Sequence, residues 1–98
     1  MLDKMKALLD MQKKMAQMKQ GLEDTAFDTA SPDGMVKITM SGTQEVKAVV
    51  IQADIKAIEK NRLEGALKEA YNKAIKHSHD LAAQKMKEVT GFNLPGLL

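Results

Sequence analysis

Over residues 1–22 the apolar side chains recur in heptad register. Met1, Leu8, Met15 and Leu22 fall at one core position and Met11 and Met18 at the other, where only Lys4 breaks the seam. A stripe of that spacing specifies an amphipathic helix that has to lie against another helix. Lys6 and Lys13 then share the outer face, while Lys14 and Lys19 flank the seam. Gly21 is expected to loosen the helix near its end.

The apolar period then shortens to two. Residues 25–30 read as a short, weakly patterned strand, and Ser31-Pro32-Asp33-Gly34 puts Pro at the second turn position with Gly after it. Over residues 35–40, Val36, Ile38 and Met40 alternate with Lys37 and Thr39. Ser41-Gly42-Thr43-Gln44 is a second hairpin turn, leading to a third strand over residues 45–51. Its end, Val49-Val50-Ile51, is apolar on both faces and is expected to be buried on both. Asp54 can cap the segment 55–60, and a long helix should run from about residue 62 to about 89. There Leu63, Leu67, Ala70 and Ala74 form one stripe, and Tyr71, Ile75, Ala82, Met86 and Val89 an adjacent one. The order is helix, three-stranded antiparallel sheet, long C-terminal helix: an α+β domain over residues 1–90. Residues 91–98, with two Gly and one Pro, are expected to form a mobile tail.

A 98-residue chain is one domain that buries only about two-thirds of its unfolded surface. The doubly apolar third strand and the Met seam leave more apolar surface than one subunit can cover, so a homodimer is expected. With no Cys, disulfides, thiolate catalysis and Cys-based metal centres are excluded. The N-terminal residues interleave charge with apolar side chains and contain neither a signal-peptide core nor a membrane span, which points to the cytoplasm. Net charge is +2, but it is unevenly spread. Residues 1–22 hold five Lys against two Asp, residues 56–90 seven Lys and one Arg against five acids, and residues 23–55 two Lys against six acids. Basic ends flanking an acidic middle would aim the two helices at an anion, although Lys-rich helices are also ordinary solvated surface.

Several stretches together resemble the YbaB/EbfC family of bacterial nucleoid-associated proteins. Gly34-Met35-Val36-Lys37-Ile38-Thr39-Met40-Ser41-Gly42 is similar to that family's strand and hairpin. Met5-Lys6, Met11-Gln12, Lys14-Met15 and Gln17-Met18 are similar to its Met- and Gln-rich first helix, and Tyr71-Asn72-Lys73-Ala74 and Lys85-Met86 to its last. The likeness runs over roughly residues 5 to 90 without a gap. Gln52-Ala53 departs from it, standing where the family usually has Asp-Pro. The resemblance implies a tweezer-like homodimer in which the sheets associate and the helices project to hold DNA, with no catalysis and no cofactor. By position it implies DNA contacts from Lys6, Lys14, Lys76 and Lys85. Lys13, Lys19, Lys73 and Lys87 join them on charge alone.

Other chemistry is poorly served. His77, His79 and Asp80 carry ligand atoms, but side chains two apart on a helix diverge by about 200°, so both imidazoles cannot hold one ion without a second chain. Glu59, Glu64 and Glu69 are spaced at fives, which does not pair two on one helical face, and their Lys neighbours explain them as solvated pairs. No phosphate-cradling Gly motif, nucleophile elbow or paired zinc spacing occurs. The Met stripe keeps heptad register between charged faces, which favours helix packing over a peptide groove.

The expected protein is thus a non-enzymatic homodimer of the cytoplasm and nucleoid, with duplex DNA and itself as partners and no membrane or small-molecule ligand. Leu8, Met11, Met15, Met18, Leu22, Val49 and Ile51 are expected at dimer or helix contacts. DNA contact would be electrostatic and weakly specific, because Lys is a point charge and the single Arg62 offers little bidentate base reading. With Phe27 as the single aromatic side chain over residues 25–51, the sheet is no platform for single strands. The rival is a dimeric adaptor whose helical arms grip a protein partner.

Overall fold

The computed structural model describes residues 2–90. In it, α1 (Leu2–Asp24) leads into β1 (Ala26–Ala30), β2 (Val36–Ser41) and β3 (Val46–Ile51), then a 3-10 turn (Ile55–Ala57) and α2 (Lys60–Thr90). The sheet is an antiparallel meander with β2 in the centre. Met1 and the tail 91–98, for which mobility is expected, lie outside the described residues.

The core follows from the period-two pattern of β2. Val36, Ile38 and Met40 point to one face and are fully buried there, each contributing on the order of 1.5–3 kcal/mol. What covers them is a run of small residues on α2, where Ala66, Ala70, Ala74 and Ser78 recur every four positions and are all buried. Leu67, expected in this stripe, is exposed instead, because the inner line passes through Ala66. Small side chains bring the helix backbone close to the sheet, so the Thr29 hydroxyl on β1 can donate to the Ala70 carbonyl at 3.3 Å. The opposite sheet face is polar. There Thr39 donates to Asp28 at 2.6 Å and Lys37 pairs with Asp28 at 3.3 Å.

The two turns differ in how they make the chain reverse. In the first, Gly34 takes a φ of 72° and its N–H donates to the Ser31 carbonyl at 2.9 Å. Asp33 knits this turn together: Ser31 Oγ donates to its carboxylate at 2.7 Å and the Met35 N–H at 3.0 Å. In the second, the left-handed position falls on Gln44, with a φ of 69°. The strain is held by Ser41, whose Oγ accepts from the N–H groups of Thr43 and Glu45 at 3.2 Å each. Beyond it the register slips by one, since Thr39 faces Ala48 but Met40 faces Val46, which leaves Lys47 as a bulge.

Gly21 lies near the end of α1. It sits in open space on the helix, which continues to Asp24 because the last carbonyls find partners: Thr25 Oγ1 donates to Gly21 O at 2.7 Å. Leu22 O receives the Gly42 N–H at 2.9 Å. Asp54 caps the 3-10 turn by accepting from the Lys56 N–H at 3.0 Å, as the sequence predicts, but α2 begins at Lys60, two residues earlier than expected.

Two expectations of burial fail within one subunit. β3 pairs only with β2 and lies beside the footprint of α2, so Val46, Val49, Val50 and Ile51 remain 43%, 49%, 46% and 40% exposed. All six positions of that strand are exposed. The heptad seam of α1 is likewise used only at its end: Leu22 is buried, Met15 and Met18 are half-buried, and Leu8 and Met11 are exposed. The molecule is correspondingly long, 67 × 23 × 15 Å, with a radius of gyration of 18.1 Å. A compact chain of this size would have about 13 Å.

A Cβ added at Gly42 would lie 2.8 Å from both the carbonyl oxygen and Cδ2 of Leu22. Gly42→Ala should therefore destabilise the protein by about 1–3 kcal/mol in urea unfolding, through displacement of α1 rather than loss of the sheet. The hydrogen bond from Ser31, then that from the Met35 N–H, and lastly the charge of Arg62 hold the Asp33 carboxyl below the ordinary aspartate value of 3.8. A folded-state pKa below the unfolded one adds stability that is present above the unfolded value and is lost as pH falls through the folded one. Urea midpoints measured from neutral to acid pH should fall below about pH 4, and more shallowly for Asp33→Asn than for the parent protein.

Candidate nucleic-acid interface

The lysines of the two helices divide by angle. At about 100° per residue, Lys6 and Lys13 stand within about 20° of each other on the side of α1 opposite Met15, Met18 and Leu22. Lys14 and Lys19 flank that seam. On α2, Lys73, Lys76 and Lys87 fall within a sector of about 60° turned away from the buried Ala and Ser stripe. All seven are exposed.

Lys85 differs. It is half-buried on the side of α2 that continues the inner stripe, and its Nζ lies 3.6 Å from Glu88 Oε2. The other ion pairs gather on the sheet and its turns: Lys37 with Asp28, Lys47 with Glu45 at 3.4 Å, and Arg62 Nε with Asp33 at 3.8 Å. Among the described residues no ion pair neutralises Lys6, Lys13, Lys14, Lys19, Lys73, Lys76 or Lys87. The same holds for Lys4, Lys56, Lys60 and Lys68, which are exposed too and were not singled out from the sequence. Their signal was present only as local charge excess, since nothing in a Lys residue's spacing tells a contact from solvated surface.

Ser78 and Gly42 also escaped the sequence reading, and together they hold the arms in place. Ser78 Oγ, buried at the end of the Ala stripe, donates to Gly42 O at 3.0 Å and lies 3.4 Å from Ser41 O. The Gly42 N–H in turn bonds Leu22 O at 2.9 Å and Thr25 O at 3.1 Å. The four-residue step from Ala66 through Ala70 and Ala74 to Ser78 was the available clue. His77 packs its ring on Phe27 with centroids 4.4 Å apart, and His79 is half-buried. Among the described residues no three His, Cys, Asp or Glu side chains gather as a metal site, and every buried side-chain N or O has a hydrogen-bond partner. None of the helices in the described residues is long and apolar enough to cross a membrane.

The model of the YbaB/EbfC DNA-binding family matches residues 1–93. The chain belongs to that family. A nucleoid-associated protein of Gloeothece citriformis is 39% identical, over 98% of this chain and 91% of the relative. Nucleoid-associated proteins of Bordetella avium and Desulfotalea psychrophila are 32% and 34% identical, over 93% and 90% of this chain and 85% of each relative. The crystal structure of an uncharacterized protein from Helicobacter pylori superposes with a TM-score of 0.71 at 25% identity, covering 82% of this chain and 86% of that one. For the YbaB/EbfC family this chain therefore supplies a helix, a three-stranded antiparallel sheet and a long second helix, with its unneutralised cations on the helices and the linking turn.

Proposed function

We propose that this protein binds duplex DNA as a homodimer, through lysine contacts to phosphates with little reading of base sequence, and so takes part in nucleoid organisation and gene expression in the cytoplasm. The observation that carries this is the separation of charge. Cations of the sheet and its turns are matched by carboxylates, whereas Lys6, Lys13, Lys14 and Lys19 on α1 and Lys73, Lys76 and Lys87 on α2 are not. Unmatched ammonium groups on two projecting helices release counterions from a duplex, and that is a sequence-independent gain. Arg62, the single Arg of the chain, is turned to Asp33. Lys85 enters the surface less readily, because it would first leave Glu88. The reading requires no catalytic step, cofactor or small-molecule substrate.

The homodimer is supported by β3. One of its edges is unpaired and both of its faces are apolar, and Leu67 and Tyr71 of α2 are exposed as well. Such an edge in a monomer would pair with any available strand, and a second copy is the partner always at hand. Light scattering at micromolar concentration should return twice 10.8 kDa; a stable monomer would remove the composite surface on which two-armed binding depends.

For DNA, affinity should fall by about 0.9 log units per log unit of salt for each phosphate contact. Lys6→Ala, Lys14→Ala and Lys76→Ala should each weaken binding to every duplex sequence alike and lower that slope by about one, or by about two if both arms of a dimer carry the change. Lys85→Ala is expected to do less. A mobility-shift titration at two salt concentrations reads both effects. Binding lost for one sequence alone would contradict phosphate contact, and no binding at low salt would transfer the case to a protein partner held by the arms.

A further inference from the structure

The two helices meet along their apolar sides, and the lysines stand on the sides that remain. On α1, Met15, Met18 and Leu22 are the covered positions, and Lys6 and Lys13 lie about 150° and 170° around the axis from their midpoint. On α2, Leu81, Ala82, Lys85, Met86 and Val89 are half-buried beyond Ser78, whose hydroxyl bonds Gly42 just past β2, and α1 is the element packed there. Lys73, Lys76 and Lys87 lie about 150–170° from the midpoint of those side chains. Helices packed seam to seam therefore turn these two groups of lysines in opposite directions.

The level of the contact makes the opposition direct. Leu22 of α1 and Ser78 of α2 both bond Gly42, which gives the helices a common level. They leave it side by side, since Met15 and Met18 are covered on one and Leu81 to Val89 on the other. Lys13 stands nine residues before Leu22, and Lys87 nine residues after Ser78. At about 1.5 Å per residue, both lysines are about 13–14 Å from that level. Lys13 and Lys87 are thus back to back on one cross-section of the arm.

Helix axes about 8–10 Å apart, each helix with its side chains about 10–12 Å across, put the two basic faces about 20 Å apart. Glu69 and Asp80 share the lysine sector of α2 and Asp10 stands about 40° from Lys6, but none of the three forms an ion pair with these lysines among the described residues. One duplex cannot serve both faces. Duplex DNA stays straight over about 150 base pairs, and passing round the arm would demand a reversal of about 180° within a few helical turns.

We propose that each arm is two-sided: the Lys6 and Lys13 face of α1 holds one duplex, and the Lys73, Lys76 and Lys87 face of α2 holds a second, so that the protein bridges two DNA segments. This rests on the lysine–phosphate reading of the function and goes beyond it in assigning the two helices to different duplexes.

Bridging is read as recovery of a fluorescent duplex on beads that carry a second duplex of unrelated sequence, with the full-length protein at low salt. The parent protein should bring down the labelled duplex. Recovery should fall more steeply with salt than single-duplex binding does in a mobility shift, because two sets of counterions are released. Lys6→Ala with Lys13→Ala should reduce recovery to the level without protein, and so should Lys73→Ala with Lys76→Ala and Lys87→Ala. Each is compared with the parent at protein concentrations that give equal occupancy of one duplex. Arg at the same positions should retain recovery, which separates charge from folding. Recovery that survives loss of either face would overturn the proposal, since the duplexes would then be held by equivalent faces of two subunits. So would single-duplex binding by the parent without recovery, an outcome that leaves the lysine–phosphate reading standing. Absence of any mobility shift at low salt would remove both.

Discussion

Three chain segments meet at one peptide unit. The Gly42 N–H bonds the last turn of α1 and the residue after it, its carbonyl accepts the buried Ser78 hydroxyl of α2, and its missing side chain leaves room for Leu22. These bonds lie out of water, where an unmatched donor or acceptor costs about 1–3 kcal/mol, so the three segments cannot slide independently. The junction sets the level at which α1 joins α2, and that level decides how much of the heptad seam is used and how far the arm extends. α1 is thus held at its C-terminal end, while residues 2–14 are exposed.

The sheet itself is asymmetric in what it asks of its surroundings. α2 covers β1 and β2 with a stripe of Ala and Ser that permits close approach, and the outer face balances Asp28 against Lys37 and Thr39. β3 receives neither treatment. Its Val and Ile side chains and its edge stay exposed in the subunit, apart from the lysine-bearing faces of the helices. Charge and apolar surface are thereby divided between opposite tasks. Carboxylates neutralise Lys37 and Lys47 of the sheet, whereas on the helices only Arg62 and Lys85 are paired among the described residues.

Much of this was legible in the residues. The heptad register of residues 1–22, the alternation around Val36, Ile38 and Met40, and the two turn sequences specify the element order, because each rests on a local period or a local backbone preference. Family membership followed from the same stretches in the same order. The lysines were visible as charge excess along two helices, and periodicity placed Lys6 and Lys13 on one side. Asp54 as a cap and Gly34 as a left-handed position likewise depend on neighbours within a few residues.

Other features depend on contacts between segments far apart in the chain, and only the tertiary structure decided them. Near the end of α1, Gly42 and Thr25 satisfy the carbonyls of Leu22 and Gly21, contacts that no local pattern announces. Leu67 fits the apolar period as well as Ala66 does, yet the close approach of α2 to the sheet selects the smaller side chain. Lys85 has the same formal charge as Lys76, but its angle on α2 turns it to the seam and to Glu88. Hydropathy marks Val49 and Ile51 as residues that seek cover, and the footprint of α2 decides that neither helix provides it. Local pattern determines which segments are helix and strand; which of their faces meet is a property of three-dimensional packing, where a few ångströms of helix approach outweigh any single residue's preference.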